Sequence, residues 1–241
     1  MNGVILDAGS FDQNDLITSS LEASLENWHW HRSTLPNQTM ARIAGMNVIV
    51  TNKVAITARA LESASLQLIV IAATGTNNID LEAAQRKAIS VCNVRDYAAP
   101  AVSQHVFSMM LALYTHLSDY ANAVREGRWH QSPVFCLLDY PINELAGKTL
   151  GIIGYGNLGK RVAWIAQGSD MNVIIAARPG TTTIPSGRVS FDELIDRSDV
   201  ISLHCPLNDN TNNLIGHREL KRMKSGAILI NTARGGIVNE S

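Results

Sequence analysis

Three glycines and the residues around them carry the clearest chemical signal in this sequence. Gly154, Gly156 and Gly159 form a G-x-G-x-x-G pattern that follows the apolar run 150–153 and precedes a helical pattern from Arg161. A strand, a glycine turn and a helix in this order are the context that a dinucleotide-binding fingerprint requires. In it, the glycines permit a tight turn, close approach of a pyrophosphate and close packing of the helix on the strand. We therefore predict a pyrophosphate at the helix N-terminus, which favours an anion; a glycine-rich turn without a ligand is the plainer alternative.

Arg178 bears on which dinucleotide would bind. A site for NAD usually carries an Asp or Glu about twenty residues beyond the fingerprint, where the carboxylate bonds the ribose 2′-hydroxyl. Here the predicted strand 171–177 ends in Ala177 and Arg178. Because no carboxylate is present at this position, nothing there would repel a 2′-phosphate. An arginine can form a charge-assisted hydrogen bond to such a phosphate, worth about 1.5–3 kcal/mol. The sequence thus favours NADP, and the alternative is an exposed arginine beside a site that tolerates NAD.

Two further loops follow predicted strands. Arg234 and two glycines come after the predicted strand 227–231, and Gly75-Thr76-Asn77-Asn78 comes after the predicted strand 68–72. Ligands in open α/β sheets bind outside the carboxyl ends of the strands. Arg234 therefore stands where it could meet a substrate carboxylate, although an incidental arginine in a surface turn is the alternative. The loop at Gly75 is equally consistent with an ordinary turn, because Gly and Asn both tolerate positive φ.

Composition narrows the class of protein. The 241 residues suffice for one large domain or two ordinary ones, and 46% apolar with 17% charged residues describes a globular chain. A net charge of −1 gives no basic field for nucleic acid. The apolar runs are all much shorter than the roughly eighteen residues that a membrane-spanning helix needs. The N-terminus does not resemble a signal peptide. Three widely spaced cysteines suit a reducing compartment, so we expect a cytoplasmic protein with no nucleic-acid or membrane partner.

Short apolar runs alternate with helical patterns and predict a mainly parallel α/β sheet. The predicted strands are residues 4–6, 47–50, 68–72, 171–177, 199–204 and 227–231, and the predicted helices are 15–25, 57–65, 81–88, 101–125 and 216–224. Asp80 and Ser190 are predicted N-caps, the latter in a capping box with Glu193. Residues 28–31 (W-H-W-H) predict an edge strand with one buried face rather than a metal site, since no third ligand is near.

Two segments predict an interface. The helix 101–125 is apolar nearly all round, which is typical of a helix buried on several sides. The irregular segment 132–146 is more apolar than an exposed loop should be. We expect these segments to contact another domain or a second subunit.

Over its whole length the chain resembles the D-isomer-specific 2-hydroxyacid dehydrogenases. The motifs that carry the resemblance are Gly154-Tyr-Gly-Asn-Leu-Gly159, His204-Cys-Pro-Leu207 with Thr211 and Asn213-Leu-Ile-Gly216, Asn231-Thr-Ala-Arg-Gly-Gly-Ile-Val238, the loop at residues 75–80 and Val102-Ser-Gln-His-Val-Phe107. Residues 127–141 with Thr51-Asn-Lys53 are similar to the glycerate dehydrogenase (hydroxypyruvate reductase) branch. The resemblance implies the N-terminal part of a flavodoxin-like parallel α/β substrate domain (residues 1–98) and a Rossmann cofactor domain (residues 99–241) that is incomplete at its C-terminal end. It also implies a homodimer formed through the cofactor domain.

The same resemblance implies roles for individual residues. Arg234 would bind the substrate carboxylate and polarise the 2-oxo group of a hydroxypyruvate, glycerate or glyoxylate type of substrate, a bidentate task for a planar guanidinium. The backbone of Gly75 and Thr76 would cradle the same carboxylate, with Asn52 and Lys53 nearby. Besides Gly154, Gly156, Gly159 and Arg178, the expected cofactor contacts are Thr74, Asn157, Leu158, Cys205, Pro206, Thr211, Thr232 and Ala233. NADP or NAD is the implied cofactor, with NADP favoured because Ala177 replaces the family's usual acidic residue, and no metal is implied.

One departure concerns the catalytic acid–base. In the family, a His and the Glu that orients it follow the Arg-Gly-Gly motif, whereas this sequence ends at Ser241 and none of its seven histidines matches. General acid–base catalysis commonly contributes about 10²–10⁴ in rate. We therefore expect the 241 residues to be a fragment with little turnover alone. The alternative is a non-catalytic NAD(P)-sensing or scaffold protein of the same fold, which the retained Arg234 disfavours.

Overall fold

The computed structural model describes residues 1–13, 15–62, 64–181 and 183–241, which divide into two compact units, Met1–Tyr97 and Ala98–Ser241. Each unit contains one parallel β-sheet with helices in the connections between strands. Parallel strands need such crossovers, and the sequence shows them as helical patterns between apolar runs. The predicted α/β class is confirmed.

The sheet of the first unit has five parallel strands. They are β1 (Asn2–Ile5), β2 (Asn27–Trp30), β3 (Val48–Thr51), β4 (Leu68–Ile71) and β5 (Ser90–Asn93). Their order, β2-β1-β3-β4-β5, is the flavodoxin-like order 2-1-3-4-5. Ile49, Ile69 and Ile71 are fully buried among them, as expected for strands covered on both faces. The helices of this unit are α1 (Ser19–Glu22), α2 (Thr39–Ile43), α3 (Ala58–Glu62) and α4 (Leu81–Arg86), with short 3₁₀ turns at Ala8–Ser10 and Pro36–Gln38.

Several predictions for the first unit need correction. The helix expected over residues 15–25 is only the single turn α1, because its N-cap residue Thr18 donates its hydroxyl to the Glu22 carboxylate at 2.8 Å and leaves the N–H groups of the first turn without a side-chain cap. The helix expected over residues 57–65 is α3, and Ser63 lies outside the described residues. The expected edge strand is confirmed as β2, but its buried face is not, since Trp30 is 36% exposed. β5 was not predicted, because only two of its four residues, Val91 and Cys92, are apolar.

The sheet of the second unit has four parallel strands. They are β6 (Thr149–Ile153), β7 (Asn172–Ile175), β8 (Val200–Leu203) and β9 (Ile228–Asn231), in the order β7-β6-β8-β9. Val189 adds a single bridge to Ala176 beyond β7, so that the order becomes the 3-2-1-4-5 of a Rossmann fold. The helices are α5 (Ala99–Tyr114), α6 (Leu117–Arg125), α7 (Arg128–Gln131), α8 (Asn157–Gln167), α9 (Phe191–Arg197) and α10 (His217–Arg222).

The single helix predicted over residues 101–125 is wrong. The chain leaves the helix after Tyr114 because His116 adopts a left-handed conformation with φ of 48°, and α6 begins at the next residue. The His116 ring is stacked on Tyr140, which is distant in sequence. By contrast, both predicted N-caps are confirmed: Asp80 Oδ1 accepts the N–H of Ala83 at 2.9 Å, and Ser190 Oγ accepts the N–H of Glu193 at 3.0 Å.

Within the described part of the chain, none of the helices combines the length and the apolar character that crossing a lipid bilayer requires.

Candidate cofactor and substrate site

The glycine turn after β6 is shaped by contacts that leave no room for side chains at two of its three glycines. Gly154 has φ of +97°, and a Cβ there would lie 2.4 Å from the backbone nitrogen of Cys205. A Cβ at Gly159 would lie 2.1 Å from the carbonyl oxygen of Gly154, because the first turn of α8 packs directly on the turn. A Cβ at Gly156 would meet nothing within 4 Å. The first and third glycines therefore serve packing, while the second leaves open space beside the backbone.

The open space at Gly156 faces the start of α8. Gly156 is the N-cap and supplies no side-chain acceptor, so the N–H groups at Asn157 and Leu158 in the first turn have no cap. Such groups, together with the helix dipole, attract a phosphate. This is the place where the sequence predicts a pyrophosphate.

A cavity of about 860 Å³ opens at the carboxyl ends of β6 and β8. These strands are neighbours, and the N–H of His204 donates to the carbonyl oxygen of Ile153 at 2.7 Å just beyond them. The strand order reverses between β6 and β8, which is the point where dinucleotides bind in doubly wound sheets. The residues that line the cavity include Gly154, Tyr155, Gly156, Ala177, Arg178, Arg188, His204, Cys205, Pro206 and Thr211.

The charge in this cavity is positive. Arg178 and Arg188 line it, and none of the described lining residues is Asp or Glu. The guanidinium of Arg188 lies over the ring of Tyr155, 4.8 Å from its centroid. Arg188 was not among the predicted site residues, because nothing in the sequence connects it with the fingerprint until the fold places Val189 beside Ala176.

Among the described residues of the second unit, two buried side-chain polar atoms have no hydrogen-bond partner. They are Nδ1 of His204 and Oγ1 of Thr232, each following a strand of the Rossmann sheet. Native structures leave few such atoms unsatisfied, and each one needs an explanation. A bound polar group at the carboxyl ends of the strands would explain both. With the glycine turn and the cavity, these atoms show that the residues present fit a dinucleotide.

His204 and Cys205 form an uncharged part of the cavity wall. Burial lowers the pKa of His204 to about 4, and its Nε2 lies 2.9 Å from Ser202 Oγ. Burial also raises the pKa of the Cys205 thiol, so this cysteine is a small apolar group and not a nucleophile. Thr211 does not face the cavity with a free hydroxyl: its Oγ1 donates to the carbonyl of Pro206 at 2.6 Å and holds that loop.

Arg234 follows β9 in a turn that Asn231 organises. The Asn231 side chain accepts the N–H of Ala233 at 3.0 Å and donates to the carbonyl of Arg234 at 2.9 Å. The guanidinium of Arg234 donates from Nη1 to the carbonyl of Ala233 at 2.8 Å and is otherwise exposed. Within the described residues it has no carboxylate partner, so its other donors are available to a ligand. Asn231 is a positioning residue that the sequence alone did not single out.

In the first unit, Asp7 holds the turn that contains Asn52 and Lys53. The buried carboxylate of Asp7 accepts the backbone N–H groups of Asn52 at 2.9 Å and Lys53 at 2.7 Å, and also the hydroxyl of Thr51 at 2.9 Å. The Lys53 side chain is exposed. Asp7 was also missed, because a lone Asp after a strand has no distinctive spacing.

The loop that contains Thr74, Gly75 and Thr76 lies at the same edge of that sheet. Asn78 ties it to the loop after β3, donating from Nδ2 to the carbonyl of Val54 at 3.0 Å. The carbonyl of Thr74 accepts from the Asn93 side chain at 2.7 Å. The structure therefore brings the two predicted substrate loops together within the first unit, while the glycine turn, Arg178, Thr232, Ala233 and Arg234 belong to the second.

Comparison with known proteins agrees with this architecture. Residues 107–241 match the NAD-binding domain of the D-isomer specific 2-hydroxyacid dehydrogenases. A glycerate dehydrogenase from Methylorubrum extorquens is 45% identical over 208 residues, covering 86% of this chain and 65% of that protein. A hydroxypyruvate reductase from Blautia hydrogenotrophica is 33% identical over 246 residues, covering 100% of this chain and 76% of that protein. A solved acyclic imino acid reductase in complex with NADPH and D-Arg has a TM-score of 0.85 at 26% identity, covering 100% of this chain and 76% of that one.

This chain belongs to the D-isomer-specific 2-hydroxyacid dehydrogenase family. The predicted family and the Rossmann fold of its NAD-binding domain are thus confirmed. The chain spans 65% of the length of the glycerate dehydrogenase, which is less than two thirds of that relative.

In this family member, the buried His204 predicts a pH dependence of stability. Its pKa is about 4 in the folded chain and 6.5 ordinarily, so the unfolded chain binds more protons between these values and stability rises with pH there. As pH falls from 6.5 to about 4, we expect a loss of about 3 kcal/mol from this residue. His204→Gln should flatten the curve of melting temperature against pH in this window, while His217→Gln, at an exposed position on α10, should leave it steep. Equal slopes in all three chains would contradict the assignment.

Proposed function

We propose that this chain binds NADP(H) and a small 2-oxo or 2-hydroxy acid, as an oxidoreductase of the hydroxypyruvate/glycerate or glyoxylate type. The observation that carries the proposal is the combination, in one Rossmann unit, of a glycine turn open at Gly156 with an arginine after β9, Arg234, that has no carboxylate partner among the described residues. The names of the two relatives support this substrate class. The nicotinamide would supply or accept the hydride; the protein would position the substrate and polarise it.

The residues proposed for the cofactor are grouped around the cavity. The first turn of α8 would hold the pyrophosphate, and Cys205 with Pro206 would form an apolar wall. Thr232, whose hydroxyl has no hydrogen-bond partner in the described part of the chain, would bond the cofactor through that hydroxyl, beside Ala233. Thr211 would act by shaping the loop after β8, since its hydroxyl is already engaged within that loop.

The residues proposed for the substrate are cationic or present backbone donors. Arg234 would bind the carboxylate with two N–H groups, a geometry that its planar guanidinium matches. In the first unit, Gly75 and Thr76 would contribute backbone donors to the substrate, with Asn52 and Lys53 nearby. Asp7 and Asn231 would position these groups through the backbone bonds described above.

The test is to incubate the protein with hydroxypyruvate or glyoxylate and NADPH, follow absorbance of NADPH, and measure nucleotide binding by calorimetry in parallel. Nucleotide binding together with loss of absorbance supports the enzyme. Nucleotide binding without turnover of any small 2-oxo acid supports the second candidate, an NAD(P)-sensing protein of the same fold.

We also propose that NADP is preferred over NAD, through Arg178. This arginine lines the cavity next to Ala177, and no described residue of the lining carries a carboxylate. Arg178→Asp should weaken NADPH binding by about tenfold or more, because a charge-assisted bond is lost and a like charge is introduced. NADH binding should change much less. Isothermal titration with both cofactors measures this, and an equal loss for NADH and NADPH would contradict the role of Arg178.

A homodimer formed through the second unit is the proposed assembly. The supporting observation is a set of large apolar side chains left exposed on this unit: Leu113, Leu117, Val134, Phe135 and Leu138 are 56%, 59%, 60%, 94% and 80% exposed. Monomeric soluble proteins rarely expose contiguous apolar patches of such side chains.

A further inference from the structure

We propose that Arg188 is a second residue that determines cofactor specificity, reading the 2′-phosphate of NADP(H) together with Arg178. The inference rests on the proposed function, because it assigns a contact within the same cofactor site. Neither the glycine fingerprint nor the residues at the end of β7 indicate Arg188 as a cofactor contact.

The backbone around Arg188 is fixed beside the end of β7. The N–H of Arg188 donates to the carbonyl of Pro185 at 3.1 Å in a turn closed by Gly187, whose φ is +73°. Val189 then pairs with β7: its N–H donates to Ile175 at 2.9 Å, and its carbonyl accepts from Ala177 at 2.8 Å. Ala177 directly precedes Arg178, so both arginines start from backbone held at the same strand end.

The side chain of Arg188 is held over an aromatic ring of the fingerprint itself. Its guanidinium carbon lies 4.8 Å from the centroid of the Tyr155 ring, and Tyr155 stands between Gly154 and Gly156. A guanidinium stacked on an aromatic face keeps its edge donors free. Holding it there before a ligand arrives also lowers the entropy lost on binding. Arg188 is thus aimed into the cavity as a preorganised donor.

The electrostatic environment supports a phosphate as the partner. Neither Arg178 nor Arg188 forms an ion pair with any residue that the structure describes, and the lining contributes no carboxylate. Other arginines of the same unit do pair with carboxylates: Arg197 with Glu193, Arg218 with Asp192, and Arg222 with Asp192 and Asp196. Two unpaired arginines at one end of a cavity suit a dianion, whereas the 2′-hydroxyl of NAD carries no charge for them to meet.

The experiment compares two probes that differ only at the 2′ position. Adenosine 2′,5′-bisphosphate and adenosine 5′-monophosphate are titrated calorimetrically into the unaltered chain, Arg188→Ala, Arg188→Gln and Arg161→Ala. Arg161 is the matched control, because its guanidinium also stacks on an aromatic ring, Trp164 at 4.6 Å, but does not line the cavity. Melting temperatures of all four chains verify folding, and the glutamine variant preserves side-chain bulk if alanine disturbs the turn.

We expect both Arg188 variants to weaken binding of the bisphosphate by about tenfold or more and that of the monophosphate by less than about twofold. Arg161→Ala should change neither. Equal losses of affinity for both probes would overturn the inference, since Arg188 would then contact the adenosine and not the 2′-phosphate. The inference would also be overturned if the Arg188 variants bound both probes with the same affinities as Arg161→Ala. In both cases binding of the monophosphate by the unaltered chain would leave the proposed function intact. Failure of the unaltered chain to bind either probe, or NADPH, would reject both.

Discussion

Gly159→Ala lowers the melting temperature of this chain by about 6–12 °C, whereas Gly156→Ala leaves it unchanged and weakens NADPH binding instead. The expected difference follows from what each new methyl group would meet. At Gly159 it would lie 2.1 Å from the carbonyl oxygen of Gly154, a backbone atom that cannot move aside. Overpacking of this kind costs about 3 kcal/mol, and each kcal/mol corresponds to about 2–4 °C in a chain of this size.

At Gly156 the new methyl group would meet no protein atom within 4 Å, and φ of −80° is one that alanine readily adopts. The fold should therefore tolerate it. The methyl group would occupy the space where the backbone approaches the pyrophosphate, so we expect about tenfold weaker NADPH binding or more.

Thermal melts and calorimetric titration of NADPH measure both effects on the same samples. Gly154→Ala serves as a second destabilised chain, since φ of +97° and a contact of 2.4 Å to Cys205 both exclude a side chain. A Gly156→Ala chain that bound NADPH as well as the unaltered chain would show that the pyrophosphate does not lie at this turn. A melting temperature as low as that of Gly159→Ala would show that the second glycine is also a packing residue.

Arg234→Gln should reduce the affinity for hydroxypyruvate, in the presence of NADP, by about a hundredfold or more. The physical reason is the loss of two charge-assisted hydrogen bonds to the substrate carboxylate, each worth about 1.5–3 kcal/mol. Arg234→Lys should recover only part of this, because an ammonium keeps the charge but not the forked donor geometry. Wherever turnover is measurable, kcat/KM should fall by at least the same factor.

Arg218→Gln is the matched control for Arg234. Arg218 lies on α10, is 70% exposed and pairs with Asp192 at 3.3 Å, away from the ends of the strands. It should leave hydroxypyruvate and NADPH binding unchanged. A loss of NADPH affinity in Arg234→Gln equal to its loss of hydroxypyruvate affinity would place Arg234 at the cofactor, and no loss of either would remove it from the site.

Local features of the fold were predictable from the sequence. The N-caps Asp80 and Ser190 were found because their hydrogen bonds reach only three residues along the chain. The helix over residues 101–125 was mispredicted because its apolar periodicity continues through a break at His116, where the ring stacks on the distant Tyr140. The helix expected over residues 15–25 is wrong because the Thr18 hydroxyl at the helix start bonds the Glu22 carboxylate and does not cap the first turn. Periodicity does not record such competing hydrogen bonds.

The sequence by itself determined the α/β class, the family resemblance, the glycine turn and the positions of Arg178 and Arg234 after their strands. Each depends on a pattern within a short stretch of chain, where the spacing of residue types already implies the geometry. Only the tertiary structure decided that Arg188 stacks on Tyr155 and that Asp7 holds the turn at Asn52 and Lys53. Only the tertiary structure shows that Nδ1 of His204 and Oγ1 of Thr232 are buried without a hydrogen-bond partner among the described residues. These contacts join residues from different strands, and their partners come together only when the sheets form.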